Sequence, residues 1–300
     1  MNLHRYDLVT LALFVLAVRC GSISQAAVQA RLALGAASKR IADLEQSVGA
    51  ALLARHPRGV RTTPAGQALY THAQRILMDV ESLAADLADY AAGVVGEVRL
   101  RANTSALTQF LPEDLASFMA LHPAIRIEME EQNSRDVVMA VIEGRADFGI
   151  FADRTPTLGL ETLPYRRDRL VLVVPRGHAL AQAPSLDFAD ALAFEFVSLS
   201  AETSIADRLQ AQAQALGRPL KLRIRVRSFD AMCRMIAVGL GLGVLPERAA
   251  EPMLAPLGLA RVALRDEWAE RELLIGVRDL AALPQAAQSL VQHLTAPTPR

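Results

Sequence analysis

Arg55, Arg58 and Arg61 surround a Pro57–Gly59 turn in the run Arg55-His56-Pro57-Arg58-Gly59-Val60-Arg61. A guanidinium keeps its charge and offers a rigid fork of N–H donors that matches phosphate oxygens, so three on one short hairpin suit a polyanion. A second set, Ser38, Lys39, Arg40 and Asp43, lies on the outer face of a predicted helix whose inner face is Ala37, Ile41, Leu44 and Val48. With Arg5, Arg19 and Arg31 included, residues 1–66 hold eight Lys and Arg against three acids, a net of +5, and the remaining residues carry −5. The zero net charge of the whole chain hides this split. A basic module on an acidic body points to nucleic acid.

Covalent and metal chemistry find no comparable footing. The six histidines are scattered without metal-ligand spacing, and no HExxH, P-loop or GxSxG is present. Gly239-Leu240-Gly241-Leu242-Gly243 follows a helix and precedes a strand, the reverse of a dinucleotide-binding turn, and is expected to be a helix cap and tight turn. Cys20 and Cys233 are far apart and are expected to be reduced thiols. No enzyme activity, catalytic residue, metal or cofactor is expected.

The elements that would carry the basic residues follow from spacing. The apolar run Leu8–Val18 is too short to span a bilayer, and Arg19 stands where a signal peptide needs a small residue. It is expected to be the buried first helix of a cytoplasmic protein, carrying Leu8, Leu11, Val15 and Val18 at helical spacing. Ser22 or Ser24 can cap a second helix to about Arg31, and a third runs from about Gly35 to Val48, ended by Gly49. After the Arg-rich hairpin, Thr63-Pro64 supplies an N-cap and a first helical position. From Pro64 to about Ala92, Leu69, Ala73, Ile76, Val80, Leu83, Leu87 and Tyr90 recur at 4-3-4-3 spacing. That seam predicts a coiled-coil homodimer, against the plainer alternative of one helix packed on its own domain. Ala91 to Gly96 is expected to be a hinge. From Glu97 onwards strands and helices alternate, which predicts α/β layers with largely parallel strands.

Taken together, these residues resemble the LysR-type transcriptional regulators. The likeness rests on Gly21-Ser22-Ile23-Ser24-Gln25-Ala26-Ala27, on Ala36 to Glu45, on Gly49, Leu52-Leu53, Arg55 and Arg58-Gly59-Val60, on Thr62 to Gly66, and on Glu143 to Ile150. It implies an N-terminal winged helix-turn-helix at 1–62, a linker and dimerisation helix at 63–92, and an effector-binding domain at 93–300. That domain is expected to be two-lobed and α/β, like a periplasmic binding protein, with lobe I at about 97–163 plus 268–296 and lobe II at about 164–267. A recognition helix enters the major groove with its first turns, which makes Ser38, Lys39 and Arg40 candidate DNA contacts, joined by Arg31 and the wing residues Arg58 and Arg61. One departure stands out: Ala33-Leu34-Gly35 replaces the Ser-Gln followed by Pro or Ser that usually opens the family's recognition helix, so the family's base preference does not carry over.

In the sensing domain, helix N-termini favour anions. The candidate effector residues are Thr104, Ser105, Asn133, Ser200, Thr203, Ser204 and Phe229, although the hydroxyl and amide residues among them equally suit plain helix caps. The expected protein is a cytoplasmic, sequence-specific regulator of promoter DNA, modulated by a small-molecule effector expected to be anionic, for example a carboxylate. It is expected to assemble as a dimer and, by the resemblance, a tetramer, with RNA polymerase as a possible further partner and no membrane. The alternative is an exported two-lobed solute-binding protein, against which the basic helix-turn-helix and Arg19 count.

Overall fold

The computed structural model describes residues 6–56, 59–92 and 96–296; the side chains of residues 55, 81, 82 and 84–92 lie outside the described set. The chain forms two compact units, Met1–Ala92 and Gly93–Arg300.

In the first unit, α1 (Leu8–Cys20) begins at Asp7, whose carboxylate accepts from the Thr10 amide at 3.0 Å and the Thr10 hydroxyl at 2.6 Å. These bonds satisfy first-turn donors that have no partner inside the helix. Ser22 caps α2 (Ile23–Gln29), and a turn holding Arg31 at φ 55° leads into α3 (Leu34–Val48). Leu13, Phe14, Ala17, Ala26, Ala37, Ile41, Leu44 and Leu52 interlock the three helices in one core. Val48, expected on the inner face, is 36% exposed at the helix end. β1 (Leu53–His56) and β2 (Gly59–Thr62) then form an antiparallel hairpin. Gly59, at φ 134°, lets this hairpin dock on the turn after α1: a Cβ there would sit 2.1 Å from the Gly21 carbonyl oxygen. That oxygen instead accepts from the Val60 amide at 2.8 Å.

α4 (Pro64–Ala92) starts at Thr63, whose hydroxyl accepts from the Gly66 amide at 3.0 Å. The continuous seam expected along this helix is divided. Ala73 is fully buried and Leu69 partly so, both packed against Leu11 and Val15 of α1. Ile76, Val80 and Leu83 are 41%, 38% and 56% exposed. Leu87 and Tyr90 lie outside the described side chains. The helix therefore serves its own unit first and leaves an apolar face open only from Ile76 onwards. Of the expected hinge, residues 93–95 lie outside the described residues.

The second unit runs β3 (Glu97–Ala102), α5 (Thr104–Gln109), α6 (Leu111–Leu121), β4 (Arg126–Glu131), α7 (Ser134–Ile142), β5 (Phe148–Ala152) and β6 (Glu161–Pro175). It continues through β7 (Ser185–Leu186), α8 (Phe188–Ala191), β8 (Phe196–Leu199), α9 (Ser204–Ala215), β9 (Leu222–Val226) and α10 (Phe229–Ala237). β10 (Gly243–Pro246), α11 (Glu247–Leu254), β11 (Leu259–Leu264), β12 (Glu270–Val277) and α12 (Gln285–Thr295) complete it. Two main cores define two lobes, one built on β3, β5 and β12 with α6 and α12, the other on the second half of β6 with β8, β10, β11, α9 and α10, and a smaller cluster joins α7 to Phe151 of β5.

The strands are mixed rather than largely parallel. β3 is parallel to β4 and β5, β8 to β9 and β7 to β11, whereas β12 is antiparallel to β5 and β6, and β6 to β10 and β11. The cause is β6 and β12, which carry the chain out of one lobe and back into it. Glu161 to Arg169 of β6 pair with β12, and Leu170 to Pro175 pair with β10 and β11. The lobe change thus falls inside one strand near Arg169, later than the expected 163/164. The return is at Glu270, where β12 begins.

Candidate functional site

In the first unit, Arg31, Lys39 and Arg61 are exposed and Ser38 is half-buried. Among the described residues, none of the three cations is in an ion pair. Arg40 differs: its Nη1 donates to the Thr10 hydroxyl at 2.9 Å and to the Asp7 carboxylate at 3.4 Å, tying α3 to the cap of α1. Hydrogen bonds from Thr10 and the charge of Arg40 outweigh partial burial and hold the Asp7 carboxyl below the usual range. Arg58 lies outside the described residues. Ala33 gives α3 no side-chain cap, and Leu34 is 53% exposed on its first turn. The start of that helix therefore offers apolar surface where a Ser-Gln pair would offer hydrogen bonds. Apolar side chains can read a thymine methyl group.

In the second unit, the N-termini of α5 and α7 from one lobe and α9 from the other converge. Asn103 caps α5 through the Ala106 amide at 2.9 Å, and its Nδ2 donates to Ser134 Oγ at 3.1 Å. Asn133 caps α7 by accepting from the amides of Arg135 and Asp136 at 3.1 and 3.0 Å. Thr203 caps α9 through the Ala206 amide at 3.3 Å. The cavity they share is ≈ 20 Å³ and is lined by Thr104, Ser105, Asn133, Thr203 and Ser204, among others. That is room for about one water. Five of the seven expected residues are thus brought together. Ser200 lies off the cavity wall, its hydroxyl turned to the Val226 carbonyl at 3.4 Å, and Phe229, 4% exposed, is absorbed into the second lobe's core. An aromatic at a helix start is drawn into apolar packing whenever the strands beneath it leave room.

Sequence reasoning missed the charged residues around this point. Ser105 Oγ accepts from Arg271 at 3.2 Å, and Arg271 is paired with Asp168, both 1% exposed in their side chains. Gln109 donates to the same carboxylate at 2.8 Å. A larger cavity of ≈ 340 Å³ lies beside the first, shares Ser134 and Ser204 with it, and is lined by Arg135, Arg154, Asp207 and Arg208. Arg208, from the second lobe, pairs with Asp153 and donates to the Trp268 carbonyl at 2.8 Å. Arg135 spans the lobes to Asp207 at 2.8 Å. The one available signal was position: residues 153–155 follow a buried strand at its C-terminal end, where α/β sheets open their ligand crevices.

Cys233 is buried in the second lobe, and burial pushes its thiol up to about 11, leaving it protonated and unreactive at neutral pH. Among the described residues no group of His, Cys, Asp and Glu could hold a metal ion, and no helix is long and apolar enough to cross a membrane.

A three-helix module with a basic hairpin, followed by a two-lobed unit with cavities between its lobes, defines a ligand-responsive DNA-binding protein. Comparison with known proteins agrees. Residues 8–67 match the bacterial regulatory helix-turn-helix of the lysR family, and residues 91–297 match the LysR substrate binding domain. A probable HTH-type transcriptional regulator, LrrA of Synechococcus elongatus, is 30% identical over 250 residues, covering 82% of this chain and 83% of LrrA. The chain belongs to the LysR family of transcriptional regulators. Among solved structures, full-length CbnR complexed with its target DNA superposes with a TM-score of 0.63 at 20% identity, covering 96% of this chain and 99% of CbnR. The effector-binding domain of QuiR in complex with shikimate gives 0.60 at 17% identity, covering 67% and 95%. At these identities both matches speak for the fold alone.

Proposed function

We propose that this regulator reads promoter DNA through Ser38, Lys39, Arg31 and the wing residues Arg58 and Arg61, and changes that reading when a small organic anion enters the cleft of its second unit. Arg40 joins this surface while bracing α1. The reading rests on one observation above all: Lys39 on α3, Arg31 in the turn before it and Arg61 on the wing are exposed and, among the described residues, outside any ion pair, in a unit built on an apolar core. The complexes of CbnR with DNA and of QuiR with shikimate support the same division of labour in proteins of this fold. The chain acts by binding, not by turnover, and works in the cytoplasm where its DNA is. Ile76, Val80 and Leu83 supply the face on which a second copy seats, giving the two half-sites that dimeric helix-turn-helix proteins read.

Fluorescence anisotropy with the promoter beside its own gene tests the reading, with and without pooled small anionic metabolites. Specific binding that shifts with at least one metabolite is expected; affinity no better than for random DNA overturns it. Leu83→Glu should give monomers by light scattering, and an unchanged mass removes the dimer seam.

A further inference from the structure

We infer that the first turn of α3 reads thymine by its methyl group, with Leu34 selecting the base and Gly35 leaving the gap in which the base edge seats. The inference rests on the first unit binding DNA through α3.

α3 buries Ala37, Ile41 and Leu44 in the core of its unit. Its exposed large apolar residues are Leu34 at the start, 53% exposed, and Val48 at the end. Leu34 stands one turn before Ser38 and Gly35 one turn before Lys39, so both adjoin the proposed DNA contacts on the outward side of the helix. Helix side chains lean towards the N-terminus, and Leu34 therefore leads when that end enters a major groove. From Ala33 to Ala36 every residue is exposed and none carries a hydrogen-bonding side chain. What this turn offers a base edge is apolar contact. In the major groove the apolar group on a base edge is the C5 methyl of thymine, and the other bases present donors and acceptors. A cytosine amino group or a purine N7 pressed against Leu34 would lose its water without gaining a partner. The side chain that favours thymine thus also works against the other bases.

Gly35 points the same way on separate grounds. A Cβ added there would meet nothing within 4 Å, and its backbone lies outside the left-handed region. Neither packing nor conformation in the free protein calls for glycine, which weakens a helix relative to alanine. Close approach of the backbone to a ligand is the remaining use of a missing side chain, and the base edge beside Leu34 is what approaches.

Full-length protein first selects its site from a randomised duplex pool. Each thymine of that site is then replaced singly by deoxyuridine, which lacks only the methyl group, and affinity is followed by fluorescence anisotropy. At least one thymine per half-site should lose about fourfold in affinity, the worth of one buried methyl. Leu34→Ala should abolish that difference and leave the salt slope unchanged, since no phosphate contact is lost. Gly35→Ala should keep or raise the unfolding midpoint, yet weaken the selected site by about fivefold or more, as an intruding methyl does at a packed contact. Both positions are exposed, so the variants keep the fold. A uracil penalty of the same size in Leu34→Ala, or no thymine at which uracil matters, overturns the methyl reading while DNA binding stands. Unchanged affinity in Gly35→Ala overturns the close approach. A protein that selects no site from the pool fails the DNA reading itself, and this inference with it.

Discussion

The two units use arginine in opposite ways. In the first, Arg31 and Arg61, with Lys39, stand exposed and, among the described residues, unpaired around a core that contains no charge. In the second, Arg101, Arg208 and Arg271 are 7%, 5% and 3% exposed and each meets a carboxylate. An exposed cation costs the fold little and is free to meet a phosphate. A buried one is costly to desolvate and persists only where its partners are fixed. Apart from Arg40, which is tied to Asp7 and Thr10, the basic residues of the first unit therefore stand apart from what holds it together. In the second, the buried arginines are part of what holds the lobes.

The largest effect that would break this contrast is at the Arg271–Asp168 pair. Asp168→Ala leaves a buried guanidinium unpaired and should cost roughly 3–5 kcal/mol in denaturant unfolding. A double Asp168→Leu, Arg271→Met variant should recover much of that loss. A single variant as stable as the unaltered protein would show the pair to be hydrated rather than structural.

Next comes the first unit. Lys39→Ala with Arg61→Ala should lower the slope of log affinity against log salt by about 0.9 per lost phosphate contact. Unfolding should move by no more than about 0.5 kcal/mol. A loss of stability without a change in slope would make these cations structural.

Arg31 sharpens the comparison, because its left-handed backbone is strained for any side-chain-bearing residue. Arg31→Gly should stabilise the first unit by about 0.5–1 kcal/mol, the relieved strain exceeding glycine's added chain entropy, while weakening DNA binding. Gain in both properties would remove Arg31 from the DNA surface.

The smallest effect concerns Asp7. Its carboxyl titrates below its ordinary value of 3.8 in the folded chain, so its charge contributes stability above that pH and ceases to do so as pH falls through the lower, folded value. Asp7→Asn keeps a competent cap and should lower the unfolding midpoint slightly at pH 7. The difference should close on acidification below the ordinary value; a gap that persists there would assign the effect to capping alone.

Local chemistry made much of the first unit legible. Ser22, Thr63-Pro64 and Gly49 mark helix ends by rules that act over three or four residues, and the spacing of Ala37, Ile41 and Leu44 names the inner face of α3. The family likeness covers the same stretch. The division of the α4 seam was not legible, because Leu69 and Ala73 have the same spacing whether α1 or a second copy covers them. Nor was the first half of β6, where Arg166-Arg167-Asp168-Arg169 hides the strand alternation behind charge. The helix caps Asn133 and Thr203 could be named from sequence. That they face each other, with Thr104 and Ser204, across one small cavity could not.

The sequence by itself determined the module order, the helix ends, the charge split between the units and the residue types at the convergent helix starts. These depend on propensity, capping and periodicity within a few turns of chain. The tertiary structure alone decided that Arg40 turns inward to Asp7 and Thr10, that Phe229 joins a core, and that Arg271, Asp168 and Ser105 meet although they lie more than a hundred residues apart at the extremes. It also set Arg154 beside Arg208 on the wall of the larger cavity. Burial and pairing of charge depend on which distant segments the lobes bring together, and no local pattern in the chain encodes that.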